Sequence, residues 1–457
     1  MKIDCLVAEI GSTTTVVNAF DGIHTNHPTF VGQGFAPTTV LLGDVTIGLN
    51  QAIEQLKNSL NVSTLDIKET LACSSAAGGL KMSVHGLVHD MTVKAAREAA
   101  LGAGANLLYV TSGVLNYFDL EKIKSLKLNI ILLAGGVDYG ETKTALENAE
   151  KIANLKLSIP VIYAGNIQNR EAIKAIFNRY NQEKHLFIAP NVYPRIDHLD
   201  VVETRKIIQS VFEENITKAP GMEKVREIIS GHIIPVPGAV MEATNLLYQS
   251  IGDLVTIDIG GATTDVHSVT EGSDEVRRKL IAPEPFAKRT VEGDLGLFIN
   301  KDTLIETIGK DKITKELKMD YETLNQLIKE YKAIPDEAQL SLTEFLAYHA
   351  LSISMKRHCG KFINVYGTAG MTKMAEGKDL TAVKYMIGTG GALTRLPNRI
   401  NLINRYLSEK DEMLLKPIST VKVLIDNQYI MATLGVLSLK YPEAAMTLLK
   451  ASLSLDK

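Results

Sequence analysis

With 457 residues, 45% of them hydrophobic, the chain is long enough to bury sizeable cores in more than one domain. Its 49 basic and 52 acidic residues leave a net charge of −3, which argues against a general nucleic-acid or acidic-membrane surface. Cys5, Cys73 and Cys359 lie too far apart for a disulfide framework or zinc spacing and read as core residues. No run of about 20 apolar residues and no cleavage-type leader is present, so a soluble, cytoplasmic protein without a membrane partner is expected.

Along the chain, Lys2–Ala8 reads as a strand, Glu9-Ile-Gly-Ser-Thr-Thr-Thr15 as a hairpin and Val16–Phe20 as the returning strand. The acid Glu9, Gly11 and the hydroxyls of Ser12, Thr13 and Thr14 collect at this turn, a composition suited to an anion-holding nest. A helix is expected over Asn50–Leu60, a turn at Ser74–Gly79 and an alanine-rich helix through Val93–Leu101. Short apolar strands follow at Ile130–Ala134, Val161–Ala164 and Leu186–Ala189, separated by helices at Thr142–Asn154 and Arg170–Tyr180. That alternation predicts a parallel sheet with right-handed crossovers. Residues 76–230 are taken as an α/β insertion in a first half that begins with residues 1–75. Within it, Ala134-Gly-Gly-Val-Asp138 sits at a strand's carboxyl end, where open α/β sheets bind ligands. A structural turn and a ligand site fit those residues equally.

The second half, 231–457, contains the most informative stretch. The strand Leu254–Ile257 runs into Asp258-Ile-Gly-Gly-Ala-Thr-Thr-Asp265. Adjacent Gly260 and Gly261 suit a tight hairpin with positive φ, and Thr263 and Thr264 add hydroxyls to a phosphate-binding nest. Asp258 and Asp265 flank it, and carboxylates beside a phosphate cradle repel the anion unless a cation intervenes. The pattern therefore implies Mg²⁺ as well as a nucleotide. Two such hairpins, one opening the chain and one past its middle, suggest two similar halves closing on one nucleotide. Beyond them, Asp302–Asp336 reads as a helix pair, Val383–Ala392 as a strand and glycine cluster, and Tyr441–Leu455 as a last helix packed on the C-terminal half. By residue type alone, Arg289, Glu292 and Asp294 read as a solvated charge run. His267 and His358 lack metal spacing and read as satisfied structural histidines.

Taken in order, the two hairpins, the connecting segments at Pro237–Asn245 and Ala432–Val436, and the glycine cluster resemble the actin, sugar-kinase and heat-shock-chaperone ATPase superfamily. The resemblance implies an α/β fold of two actin-like, ribonuclease H-like half-domains that bind ATP and Mg²⁺. Glu9, Asp258 and Asp265 would hold the metal or orient the attacking water. Gly11, Ser12, Thr13, Thr14, Gly260, Gly261, Thr263 and Thr264 would hold phosphates, and Gly388, Gly390 and Gly391 would approach the adenosine. The superfamily usually has aspartate where this chain has Glu9, one methylene longer. More narrowly, Ala282-Pro-Glu-Pro-Phe-Ala-Lys-Arg-Thr-Val-Glu-Gly-Asp-Leu-Gly296 resembles a signature of the glutamate mutase accessory (GlmL/MutL) family, with Thr70–Gly79 and Leu132–Asp138 in support. This implies an ATP-hydrolysing chaperone that reactivates an adenosylcobalamin-dependent mutase of glutamate mutase or aminomutase type, as a homodimer or with a small partner subunit. It also raises Arg289, Glu292 and Asp294 to site candidates. Asp265-Val-His267 begins the Asp-x-His-x-x-Gly spacing of base-off cobalamin proteins, but Thr270 replaces the glycine, which disfavours direct cobalamin ligation. The alternatives are a small-molecule kinase, with Asp138 or Asp294 as base, and a non-catalytic nucleotide-binding scaffold.

Overall fold

The computed structural model describes residues 1–76, 80–216, 221–231, 233–367 and 370–455. The end of the turn expected at Ser74–Gly79 lies outside the described residues. The chain folds as two units, Met1–Ala239 and Val240–Lys457.

The first unit contains β1 (Lys2–Ile10), β2 (Thr14–Asp21), β3 (Thr29–Pro37), β4 (Asp66–Ser74), β5 (Leu80–Gly86), β6 (Ala105–Ser112), β7 (Ile130–Leu133), β8 (Val161–Tyr163), β9 (Leu186–Ile188) and β10 (Ile233–Pro235). One sheet has the order β10-β4-β1-β2-β3, with only β2 running against the others. Every residue of β1 from Ile3 to Ile10 is buried, as expected of a central strand covered on both faces. The helix Val45–Ser59 packs on β3 and β2 through Leu49, Ala52 and Leu56, about one turn apart on one face, and is capped by Asp44, which accepts from the Thr46 N–H. Gly34 lets that helix close on β3, because a Cβ there would lie 2.1 Å from the Ala52 carbonyl oxygen.

The second sheet, β6-β5-β7-β8-β9, is parallel throughout, as the strand–helix alternation predicts. Helices Lys143–Asn154 and Arg170–Arg179 form where they are expected. One face, with Met82, Val84, Ile130, Leu132 and Ile162, joins the core of the first sheet. The other, with Ile131, Leu133 and Tyr163, packs on Ala145, Ala149, Ile152, Ile173 and Phe177 of those helices. The strand order is the doubly wound 2-1-3-4-5.

In the second unit, β11 (Leu254–Ile259), β12 (Thr264–Val269) and β13 (Ala287–Glu292) are followed by the hairpin of β14 (Lys361–Gly367) and β15 (Gly370–Glu376), then β16 (Tyr385–Thr389) and β17 (Lys422–Ile425). The main sheet is ordered β13-β12-β11-β16-β17, and only β12 runs against the rest. Each unit thus carries a sheet of order 3-2-1-4-5 with its second strand reversed, the ribonuclease H-like half-domain of actin-like proteins. The helix Leu340–His358 covers one face of the second, with Leu342, Phe345, Leu346 and Met355 in the core. The expected helix pair at 302–336 is three helices, Lys301–Ile308, Lys310–Leu317 and Tyr321–Lys329. Gly309 at φ +88° and Lys318 at φ +53° end the first two, and Asp320 caps the third.

Candidate functional site

The two expected hairpins form, and in the same register. In the first, Glu9 faces Val16 and Ile10 faces Thr15 across β1 and β2; in the second, Asp258 faces Asp265 and Ile259 faces Thr264 across β11 and β12. Each loop closes by the same bond. The Gly11 N–H donates to the Thr14 carbonyl at 3.0 Å, and the Gly260 N–H donates to the Thr263 carbonyl at 2.9 Å. Neither Gly260 nor Gly261 takes the expected positive φ. A four-residue loop closed by that bond does not need a left-handed residue. The first loop needs space, since a Cβ on Gly11 would stand 2.6 Å from the Thr14 carbonyl oxygen, whereas Cβ atoms on Gly260 and Gly261 would come no closer than 3.4 Å to any neighbour.

The first loop is open on its outer side. Ser12, Thr13 and Thr14 are exposed, while the Thr38 hydroxyl donates to the Gly11 carbonyl at 2.9 Å and the Thr38 N–H to Thr13 at 2.9 Å. Glu9 is buried at the end of β1.

A downstream segment holds the second loop. The Leu297 N–H donates to the Gly260 carbonyl, and those of Phe298 and Ile299 to Gly261, at 2.7–3.1 Å. The Asn300 side-chain amide donates to the carbonyls of Ala262 (2.7 Å) and Gly293 (2.8 Å). Gly296 lies so close that a Cβ would stand 2.3 Å from Ala262. The Ala282–Gly296 signature is thus, in physical terms, the strand beside β12 and the start of the clamp on the loop.

Behind the clamp, Asp265, Arg289 and Glu292 are buried, while Arg357 and Asp294 stay half-exposed. Arg289, 2% exposed, donates from Nε (3.1 Å) and Nη2 (2.6 Å) to Asp265 Oδ1, and Asp265 is itself 3% exposed. The Thr263 hydroxyl donates to Asp265 Oδ2 at 2.9 Å. Arg357 bridges Glu292 (2.5 Å) and Asp294 (2.8 and 2.9 Å). Burial raises the Glu292 carboxyl above its usual range, against the Arg357 hydrogen bond, whereas that bond holds Asp294 low. A surface charge run is therefore the wrong reading of Arg289 and Glu292, which β13 places in buried positions beside β12; Asp294, just past the end of that strand, stays half-exposed.

The three glycines of the later cluster have different surroundings. Gly388 is a packing position, with Ile425 and Ile403 at 2.9 and 3.2 Å from where a Cβ would be. Gly390, at φ +82°, would press a Cβ to 2.2 Å from Asp258 Oδ1, and Gly391 faces open space. Thr389 lies beside Asp258 across β11 and β16, and its hydroxyl donates to the fully buried Asp426 at 3.0 Å. Asp426 also accepts from the Ile430 and Met431 N–H groups and the Ser452 hydroxyl, bonds that oppose the upward push of burial on its carboxyl. Asp426, Asn300 and Arg357 carry no sequence signal: the site groups they hold (Thr389 for Asp426, Ala262 and Gly293 for Asn300, Glu292 and Asp294 for Arg357) are distant in the chain, and no motif marks them.

Two other expectations change or sharpen. His358 is satisfied, hydrogen-bonded to Ser268 (2.7 Å) and Thr290 (2.9 Å), but His267 is fully buried with neither ring nitrogen hydrogen-bonded among the described residues. Burial lowers both imidazoles well below their usual range. At Ala134–Asp138, Asp138 accepts from the Ile167 N–H and the Asn191 amide, both at 2.9 Å, and a Cβ on Gly165 would lie 2.5 Å from the Gly135 nitrogen. These bonds and contacts are those of a packed turn. Burial also pushes the Cys359 thiol up to about 12, which suits a core residue.

A protein of two ribonuclease H-like halves, each presenting a register-matched loop of nest-forming composition, has the architecture of an actin-like ATPase. The chain belongs to the MutL protein family, whose model matches residues 5–453. It is 36% identical over 465 residues to the protein MutL of Clostridium tetanomorphum, covering 97% of this chain and 98% of that one. The family is one of mutase accessory proteins, in agreement with the resemblance of the 282–296 segment. Among solved structures, similarity is found to nucleotide-free acetone carboxylase (12% identity, 95% of this chain and 70% of that chain, TM-score 0.39). It is also found to the nucleotide-free diol dehydratase-reactivating factor (11%, 96% and 100%, TM-score 0.35). A third is component A of Acidaminococcus fermentans (R)-2-hydroxyglutaryl-CoA dehydratase (10%, 97% and 99%, TM-score 0.31). Among the described residues no helix is long and apolar enough to cross a membrane, and no group of three or more His, Cys, Asp or Glu converges as a metal cage.

Proposed function

We propose that the protein is an ATP-driven reactivating chaperone for an adenosylcobalamin-dependent mutase, acting in the cytoplasm. The observation that carries this reading is the register-matched pair of hairpins in a member of the MutL family. Gly11–Thr14 would offer backbone N–H groups and its exposed hydroxyls to the phosphates of ATP, and Gly260–Thr263 its backbone N–H groups, since the Thr263 hydroxyl is donated to Asp265. Asp258, half-buried at the end of β11, is the acid that faces the reacting region, while Asp265 braces the loop through Arg289 and Thr263.

A resident metal is not what these donors suit. With Asp265 engaged by Arg289, the second hairpin offers Asp258 as its acid for a cation. That fits Mg²⁺ arriving on the nucleotide, held by one or two carboxylates, phosphate oxygens and water. When bound, Mg²⁺ would supply charge neutralisation to the phosphates; Asp258 would orient its waters or the attacking water, and Glu9 is the corresponding acid of the first hairpin. Nucleotide state then switches affinity for the mutase only through contacts that differ between the ATP and ADP forms.

The test mixes the protein with an inactivated cobalamin mutase, fresh adenosylcobalamin, Mg²⁺ and ATP. Turnover returns, and a non-hydrolysable analogue does not sustain repeated rounds. Equal recovery without nucleotide, or phosphorylation of a small hydroxyl or carboxyl compound with no reactivation, overturns the proposal; the second result replaces it with the kinase.

A further inference from the structure

All strands of the β5–β9 sheet are parallel, so the loops that follow them leave from one edge. The register keeps that edge level: Gly86 lies beside Ser112, His85 beside Leu133, Leu133 beside Tyr163, and Tyr163 beside Ile188. Each loop there exposes a large apolar side chain. Val88 follows β5, Val114 with Tyr117 and Phe118 follows β6, Tyr139 follows β7, Ile167 follows β8, and the loop after β9 adds Ile196. The opposite edge is built differently. Leu128 is buried there, Leu126, Leu155, Leu157 and Ile159 pack against the core, and none is among the exposed hydrophobics.

Tyr117, Phe118 and Tyr139 are 70%, 79% and 77% exposed. Side chains that project this far do not line a small-molecule pocket; they are shaped to enter pockets on another surface, as interface anchors do. An aromatic buries about 150–250 Å² in all, so the exposed three-quarters of these three would supply about half of the roughly 800 Å² that one side of a standard interface buries. Five strand ends at about 4.8 Å spacing span about 19 Å, the width of a protein contact. Asp90, in contact with His89, and Asp197 and Asp200 are exposed at this edge against Arg195 and Lys143, so the rim carries an excess of acid over fixed positive charge, concentrated in the loop after β9. A second copy docked face to face would set that rim against itself.

Building on the mutase-accessory reading, we infer that this carboxyl edge is the face that docks the mutase, through an apolar patch with a basic rim on that protein. The experiment measures, by biolayer interferometry, binding of the purified chain to a purified adenosylcobalamin-dependent mutase of glutamate mutase type. Wild type is compared with the Tyr117→Ser/Phe118→Ser/Tyr139→Asn variant. The variant binds at least 30-fold more weakly, while its affinity for ATP stays within twofold and its Tm is unchanged. Should that variant not fold, Asp197→Lys/Asp200→Lys is the second probe, expected to weaken binding at least fivefold and to remove much of its salt dependence. Undiminished mutase binding by a folded variant overturns the docking face and leaves the proposed function standing. No binding by the wild type overturns the proposed function and, with it, the mutase as occupant. Self-association that the variant abolishes assigns the face to a second copy and also overturns the inference.

Discussion

Gly11–Thr14 and Gly260–Thr263 close with the same N–H to carbonyl bond, yet Val16 occupies the register position at which Asp265 pairs with Arg289. The first loop exposes Ser12, Thr13 and Thr14 and is tied mainly through Thr38. The second is clamped along its carbonyls by Leu297–Ile299 and Asn300, with a buried ion pair behind it. One turn geometry has thus been built twice, once as a hydroxyl-bearing loop over an apolar strand and once as a braced loop over charge. The lesson is that the turn follows from local sequence, whereas its rigidity comes from distant residues.

The largest effect is expected at the brace. Arg289→Met leaves the Asp265 carboxylate buried and unpaired, a change that costs about 3–5 kcal/mol. Adding Asp265→Val, which copies the Val16 arrangement, restores most of that stability, because an apolar pair of similar volume is often as stable as a buried ion pair. Chemical denaturation of the two variants checks both halves; equal destabilisation of single and double variants would show that the pair is not what Arg289 serves.

Next comes the acid that both hairpins carry at the strand end. Asp258→Asn is expected to lower ATP hydrolysis by at least about 10²-fold with no change in Tm, since it removes charge at the reacting region and not a core contact. A single-turnover assay reads this directly. A loss of structure on substitution would instead assign Asp258 to folding.

Glycine substitutions separate the loops sterically. Gly11→Ala places a Cβ 2.6 Å from the Thr14 carbonyl oxygen and is expected to destabilise by about 1–3 kcal/mol, whereas Gly261→Ala, 3.4 Å from Phe298 Cβ, makes ordinary contact and is tolerated. Similar Tm losses for both would remove this distinction.

Between these effects and the smallest lies a pH dependence. Burial pushes His85 and His349 down to about 4. Each is neutral in the fold but takes up a proton when unfolded below its ordinary value near 6.5. The unfolded state binds more protons in that window, so stability falls as pH drops from about 6.5 toward 4, by up to about 1.4 kcal/mol per unit for each group. His85→Gln should make the curve shallower in that window, with His349, His267 and His358 supplying the slope that remains, which denaturation at a series of pH values will show. The smallest change is expected from Glu9→Asp, which moves the first carboxylate to the superfamily's usual reach. Hydrolysis should be as fast as in wild type or faster, because misplacement of about 1 Å costs up to about 10²-fold. A large loss would mean that Glu9 is tuned to its own site.

These contrasts also mark what was legible in the sequence. The hairpins and the strands at 130–133, 161–163 and 186–188 are contiguous patterns, and they form where the patterns place them. Arg289 read as surface because its partner Asp265 lies 24 residues earlier, and only strand pairing brings the two together. The three helices in place of two between 301 and 329 turn on Gly309 and Lys318, whose left-handed φ values depend on how the segments pack. His267 read as satisfied because composition does not reveal whether a buried ring nitrogen meets a partner.

The account stands most directly on nucleotide binding by the wild-type chain. Isothermal calorimetry with Mg·ATP, repeated with ADP, is predicted to give saturable binding for both, weakened when the exposed Ser12, Thr13 and Thr14 are changed to alanine; Thr264, expected at the phosphates, is instead fully buried with its hydroxyl donated to the Leu295 carbonyl at 2.8 Å. No saturable heat with either nucleotide, at protein and ligand concentrations sufficient to detect a millimolar site, would contradict it.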